Sequence, residues 1–218
     1  MITAEQLRQK VRRLLNEVED DAGVTLLSDD TRSLDEHIEA LMPDAVQFIQ
    51  MNKGCGMVNP KEGHVPQILI NDNGDGTGNF VLPEDFVSLL SFKMNGWARP
   101  CTTLYPDSSQ VALAQHNPYT RAGYSRPVCT EGLDPSGRRL LCFYSLPPGV
   151  LPVISQFVYE AAYNSSDGLS GNNATLHNAV AYQCAALLCN MFERRDNAGA
   201  FFSIAASLCN NVKLDNNK

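Results

Sequence analysis

Apolar positions near the N-terminus fall at helical spacing. Leu7, Val11, Leu14, Leu15 and Val18 recur every three or four residues, so they share one stripe of an amphipathic helix. Thr3 and Gln6 form a capping-box pattern at its start, in which each side chain accepts from the other residue's unpaired backbone amide. Glu5, Arg8, Lys10, Arg12, Arg13, Glu17 and Glu19 cover the other faces as a solvated, mixed-charge surface, and Gly23 is the predicted stop. Ser33 and Glu36 repeat the box ahead of Leu34, Ile38, Leu41, Ala45, Phe48 and Ile49, a second helix. Pro43 lies inside that pattern and predicts a bend or break, because proline has no amide to bond back one turn. The two helices should pack as an αα-hairpin.

From Gly54 the pattern shifts to short β-branched and aromatic runs punctuated by Gly, Pro, Asn and Asp. Val65–Ile70 and Asn79–Leu82 are predicted to form a hairpin across the polar turn from Asn71 to Gly78. Phe86–Met94 is the next strand, with Asn95-Gly96 as its turn, and Leu140–Ser145 and Val153–Tyr159 are two more. Between Tyr105 and Arg138 lies a long irregular stretch holding Pro106, Pro118, Pro127 and Pro135. Segments of that kind inside a domain are usually functional.

Helical spacing returns with Leu176, Val180, Cys184, Leu187, Leu188 and Met191, capped by Asn173 or Thr175. Asn197 is the predicted cap of a last helix carrying Phe201, Phe202, Ala205 and Leu208. Strands grouped between helices, rather than alternating with them, give an α+β chain. Residues 1–53 and 174–209 are expected to form a bundle of amphipathic N- and C-terminal helices, 54–173 a β-rich middle insertion, and 210–218 a flexible, polar C-terminal tail.

Composition narrows the function classes. Apolar residues make up 44% of the 218 and charged residues 19%, enough for a packed core and too apolar for wholesale disorder. The net charge of −7 argues against electrostatic wrapping of nucleic acid, which needs Lys and Arg to displace phosphate counterions. The first residues show no basic segment followed by an apolar run, and Ala179–Phe192 is too short and polar to span a bilayer, so neither a signal peptide nor a membrane partner is expected. Seven cysteines, an odd number scattered along the chain, predict buried free thiols in a reducing compartment.

Candidate chemistry is sparse. Asn71-Asp72-Asn73-Gly74-Asp75-Gly76 echoes the start of a calcium loop, but the twelfth position is Leu82 instead of a bidentate Glu, and a hairpin turn is the better reading. Cys184 and Cys189 sit about 140° apart on a helix, and His177 lies two turns from Cys184, so neither pair has ligand or catalytic spacing. His37, His64 and His116 have no ligating neighbours in sequence. Gly74–Gly78 lacks the Lys and following helix of a phosphate loop, and no nucleophile elbow or zinc-protease motif is present. Asp29-Asp30, Asp44, Glu84-Asp85 and Asp167 are ordinary surface acids. No catalytic, cofactor-binding or metal-binding residue is therefore assigned, no cofactor is called for, and the expectation is a protein that is not an enzyme.

One stretch carries a resemblance. Phe80-Val81-Leu82-Pro83-Glu84-Asp85-Phe86 leads into a strand that runs to Asn95-Gly96-Trp97-Ala98-Arg99-Pro100. Pro83 would stop one strand because it cannot donate to the ladder, Glu84-Asp85 would stay wet, and Phe86 would plug inward. This block resembles the head–tail adaptor, or connector, proteins of short-tailed double-stranded DNA phages, including tail-tubular adaptors and the neck rings of crAss-like phages. Asn117-Pro118-Tyr119, Arg126-Pro127-Val128 and the helix–strand–helix plan with a terminal tail are also similar.

What the resemblance implies is a structural virion protein, assembled in the host cytoplasm. It would form a homo-oligomeric, twelve-copy ring in the neck, docked beneath the portal protein and joined to further neck or tail proteins. DNA would pass through the lumen without sequence-specific binding. An acidic lumen would let DNA slide, although −7 is equally what keeps an ordinary protein in solution. Candidate contact residues are Tyr105, Asn117, Tyr119, Arg121 and Arg126 in the irregular stretch, with Asn210, Val212, Lys213, Leu214 and Lys218 in the tail reaching the portal. Phe86 and Trp97 are read as core. The alternative is a cytosolic ligand-binding or hydrolytic domain whose pocket in the β-rich middle gathers His64, His116 or a cysteine with carboxylates. A head-completion or tail-terminator protein lies between the two.

Overall fold

In the computed structural model, residues 1–22, 33–52 and 57–215 are described, with side chains for 1–15, 33–52 and 57–212. The architecture is α+β, with helices at both ends and a β-rich middle. Two compact units are built from it: Met1–Asn59 with Ala162–Lys218, and Pro60–Ala161.

The helical unit contains α1 (Ala4–Ala22), α2 (Leu34–Met51), α4 (Ala174–Met191) and α5 (Arg195–Asp215). Both capping boxes form. Gln6 N donates to Thr3 Oγ1 at 3.2 Å while Thr3 N donates to Gln6 Oε1 at 3.1 Å, and Ser33 and Glu36 make the equivalent pair of bonds. Leu7, Val11 and Leu15 point into the core. The predicted stop Gly23 lies outside the described residues. α4 is the central element, packed by α1, α2 and α5. Its buried residues occupy most of its circumference, and Ala179, Ala181, Ala185 and Ala186 let neighbouring helices approach closely. Asn173 caps it by accepting from Thr175 N at 2.9 Å.

Several elements depart from the pattern the sequence predicts. α2 runs unbroken through Pro43, which sits on the exposed side, where water can satisfy the carbonyl left without a donor. Phe48, expected in the stripe, is 54% exposed, whereas His37, Met42 and Val46 are buried. α5 begins at Arg195, so Asn197 lies in its first turn and is not the cap. The same helix runs to Asp215 and Val212 is buried, which replaces the expected tail at 210–215 with helix.

The β unit starts at Pro60 and ends at Ala161, not at 54 and 173. The difference has a packing cause: Val58 and Leu169 are buried in the helical core. Within the helical unit Asn59 joins its two chain segments, donating to Ala162 O and accepting from Ser170 N and Oγ. Gly168 (φ +74°) is required in the second segment, because a Cβ there would lie 2.3 Å from Ile2 O.

Two sheets make up the β unit. β1 (Pro60–Glu62), β8 (Ile154–Ala161) and β4 (Phe86–Met94) form an antiparallel sheet with β8 central. β2 (Asn71–Asp72), β3 (Gly78–Val81), β7 (Arg139–Phe143), β6 (Cys129–Leu133) and β5 (Leu104–Pro106) form the other, in that order, with only the β5–β6 pair parallel. Phe80, Phe92, Phe143 and Phe157 are almost completely buried between their neighbours, with Trp97 edge-on to Phe92 at 5.5 Å. Phe86 and Trp97 are core residues, as expected.

β4 spans the predicted residues, but the hairpin before it does not. Residues 65–67 form a 3₁₀ turn containing Pro66, and only Asn71-Asp72 pair with Asn79 and Gly78. The long stretch from Tyr105 is not structureless: it contains the end of β5, the short helix α3 (Gln110–Gln115) and β6. No helix among the described residues is long and apolar enough to cross a membrane.

Candidate interaction surface

A polar latch holds the middle of the irregular stretch. Ser109 caps α3 by accepting from Ala112 N at 3.1 Å. At the far end of that helix Gln115 is buried: its Nε2 donates to Val111 O at 2.9 Å and its Oε1 accepts from Ala122 N at 2.9 Å. Arg121 Nε donates to Gln115 O at 3.1 Å, and Thr120 Oγ1 donates to Ala114 O at 2.7 Å. Asn117 closes the intervening turn, its Oδ1 accepting from Tyr119 N and its backbone carbonyl from Arg121 N. A second strap fixes the return, in which Ala98 N donates to Tyr124 O and Arg99 Nε to Ser125 O, each at 3.1 Å.

The consequence is a fixed loop with large side chains facing solvent. Tyr119 is 97% exposed, and Leu113 and Tyr124 are exposed as well. Arg99 and Arg126 are exposed and have no carboxylate partner within 4.0 Å among the described residues.

The other candidate residues divide sharply. Tyr105 is half-buried in β5, opposite Thr130 of β6, and Asn117 and Arg121 are engaged within their own loop. Arg121 also reaches Asp75 at 3.5 Å. Asn210 is exposed on α5, whereas Val212 is core and not a free contact residue. Lys213 and Leu214 continue the helix, with side chains outside the described residues, and Lys218 lies outside them altogether. Sequence reasoning missed Gln115, Leu113, Tyr124 and Arg99. A usable signal was present, because between Phe86 and Thr130 the only carboxylate is Asp107 while Lys93, Arg99, Arg121 and Arg126 are cationic.

In the turn that echoes a calcium loop, two carboxylates are used locally: Asp75 Oδ1 accepts from Thr77 N and Oγ1, and Asp72 Oδ1 accepts from Gly74 N, while Asn73 Nδ2 donates to Thr77 Oγ1. The Thr77 hydroxyl, its amide and Arg121 together hold the Asp75 carboxyl below its ordinary range despite some opposing burial. No group of three His, Cys, Asp or Glu among the described residues is arranged to hold a metal ion.

A concavity of about 500 Å³ lies in the β unit, lined by Lys61, His64, Leu69, Asp85, Arg138 and Tyr159 among others. Its one tightly held carboxylate is Asp85, which accepts from Lys61 Nζ at 2.6 Å and Tyr159 OH at 2.8 Å. Burial works to raise the Asp85 pKa, but those two donors outweigh it and lower it, while burial and the adjacent carboxylate push the Tyr159 phenol up. His116 sits elsewhere, 4.0 Å from Asp107. The six described cysteines are free, and burial pushes Cys184 up to about 12, which keeps it an unreactive thiol; Cys55 lies outside the described residues.

No family model matches the chain, and no curated protein matches it.

Proposed function

We propose that this chain is a structural subunit of a phage neck, forming a twelve-copy ring that joins the portal to the tail and surrounds the passing DNA. The observation that carries this reading is the latched loop, which holds Tyr119 almost fully in solvent at the end of a network anchored by buried Gln115. A large side chain kept exposed on a backbone already fixed by hydrogen bonds costs less loop-ordering entropy on meeting a partner, which suits a surface made for assembly. The resemblance block supports the same reading. Phe80, Phe86 and Trp97 organise one core, and Pro83 with exposed Glu84 separates β3 from β4. A heterologous contact between identical subunits closes into a ring when its rotation permits.

Electron microscopy of the purified protein, alone and mixed with portal, tests the proposal. Annuli with twelve-fold symmetry are expected; single compact particles under both conditions would refute it. A second reading, a ligand-binding domain, is favoured by the concavity where Lys61, His64 and Arg138 gather near Asp85. That reading predicts instead a monomer whose thermal stability rises with a small anionic ligand.

A further inference from the structure

The acid-poor loop and the second helix are complementary in two respects. The loop presents Arg99 and Arg126 without carboxylate partners, together with exposed Leu113, Tyr119 and Tyr124. α2 has no Lys or Arg in its sequence, and its outward face combines negative charge with apolar surface. Ala40, Asp44, Gln47, Phe48 and Met51 are all exposed and lie within roughly 100° of arc on that helix. Phe48 is 54% and Met51 69% exposed. Asp44 has no cationic partner among the described residues, unlike Asp35 and Glu39, which Arg12 and Arg8 of α1 engage. Glu36 lies beside the same face, exposed, its carboxylate accepting from Ser33 N.

We propose that the Arg99/Tyr119–Arg126 surface of one copy docks on the Asp44/Phe48/Met51 face of α2 in a second copy. This inference rests on the ring reading and names the surfaces that would join its subunits. The contact is heterologous, since the two patches differ, and so it propagates from copy to copy. Tyr and Arg are the side chains that dominate binding energy at protein interfaces, and Phe48 and Met51 offer the apolar ground a tyrosine ring covers. Duplex DNA fits the loop less well. Two unpaired arginines neutralise few phosphates, and a phosphate backbone leaves Leu113, Tyr119 and Tyr124 without apolar cover.

Charge-swap variants test the pairing, with assembly followed by light scattering and by microscopy on portal. Arg99→Glu with Arg126→Glu, or Asp44→Arg with Gln47→Arg, should each weaken self-association about tenfold or more, because each brings like charges together. All four changes combined should restore most of it, and wild-type association should weaken as salt rises. Helical circular dichroism and Trp97 fluorescence confirm that each variant is folded. Wild-type-like assembly by either pair overturns the docking while leaving the ring itself standing. A wild-type protein that stays monomeric even with portal removes both. Loss of labelled-duplex binding in the Arg99/Arg126 variant, with assembly unchanged, would reassign the loop to nucleic acid and overturn the proposal.

Discussion

The helical and β units solve the same burial problem with opposite materials. In the helical unit small side chains on α4, Ala179, Ala181, Ala185, Ala186 and Cys184, share the core with larger aliphatic ones such as Leu7, Ile38, Met42 and Ile49. Small residues bring helix backbones close and leave stability to many modest contacts. In the β unit the centre is aromatic. Phe92 meets Phe80 and Trp97 at 5.5 Å and Phe157 at 6.1 Å, and Phe157 stacks on Tyr159 at 5.2 Å with the planes inclined by 24°. Added volume should therefore be felt most at the alanines of α4, and lost volume among the stacked rings of the β unit.

Truncation in the aromatic core should have the largest effect. Phe92→Ala removes a fully buried ring and should cost about 3–5 kcal/mol, read from the denaturant transition of Trp97 fluorescence. A loss below about 1 kcal/mol would mean that the neighbouring rings collapse into the space, and the contrast between the cores would fail. Next comes Ala185→Leu, which adds volume where α4 is wholly enclosed and should cost about 1–3 kcal/mol in the helical circular dichroism transition. If Ala185→Leu is neutral, the helices have room to spare and their close approach is not what specifies this core.

The smallest effect expected is electrostatic. The Asp85 pKa is depressed in the folded chain by Lys61 and Tyr159, so its contribution is present above the ordinary carboxylate pKa of about 4 and is lost as pH falls through the lower folded value. Stability of the β unit should therefore decline below about pH 4, and Asp85→Asn should flatten part of that slope. An unchanged acid limb in the Asn variant would show that the Lys61–Asp85–Tyr159 chain contributes nothing measurable to the aromatic unit.

Local signals in the sequence were legible wherever one stretch of chain could satisfy itself. Thr3 with Gln6, Ser33 with Glu36 and Asn173 each cap a helix as their spacing predicts, and Phe86–Met94 forms a strand over those residues. Misreadings occurred where the environment decided. Pro43 does not interrupt α2, and Val65–Ile70 carries strand-like residues yet turns at Pro66. Val212 looked like part of a polar tail until the core reached it. In the candidate surface, Tyr119 and Arg126 were identifiable by type and position, but nothing near Gln115 in sequence reveals that its amide holds Ala122 and fixes the loop.

By itself the amino-acid order determined the α+β class, the starts of α1, α2 and α4 and the shortage of acids between Phe86 and Thr130, because periodicity, capping and charge are properties of neighbouring residues. Which face of α2 is buried, where one unit ends and the other begins, and which loop residues stay exposed were decided only by tertiary packing. Burial depends on surfaces brought together from distant parts of the chain, as when Leu169 meets Ile2, and no local spacing encodes that meeting.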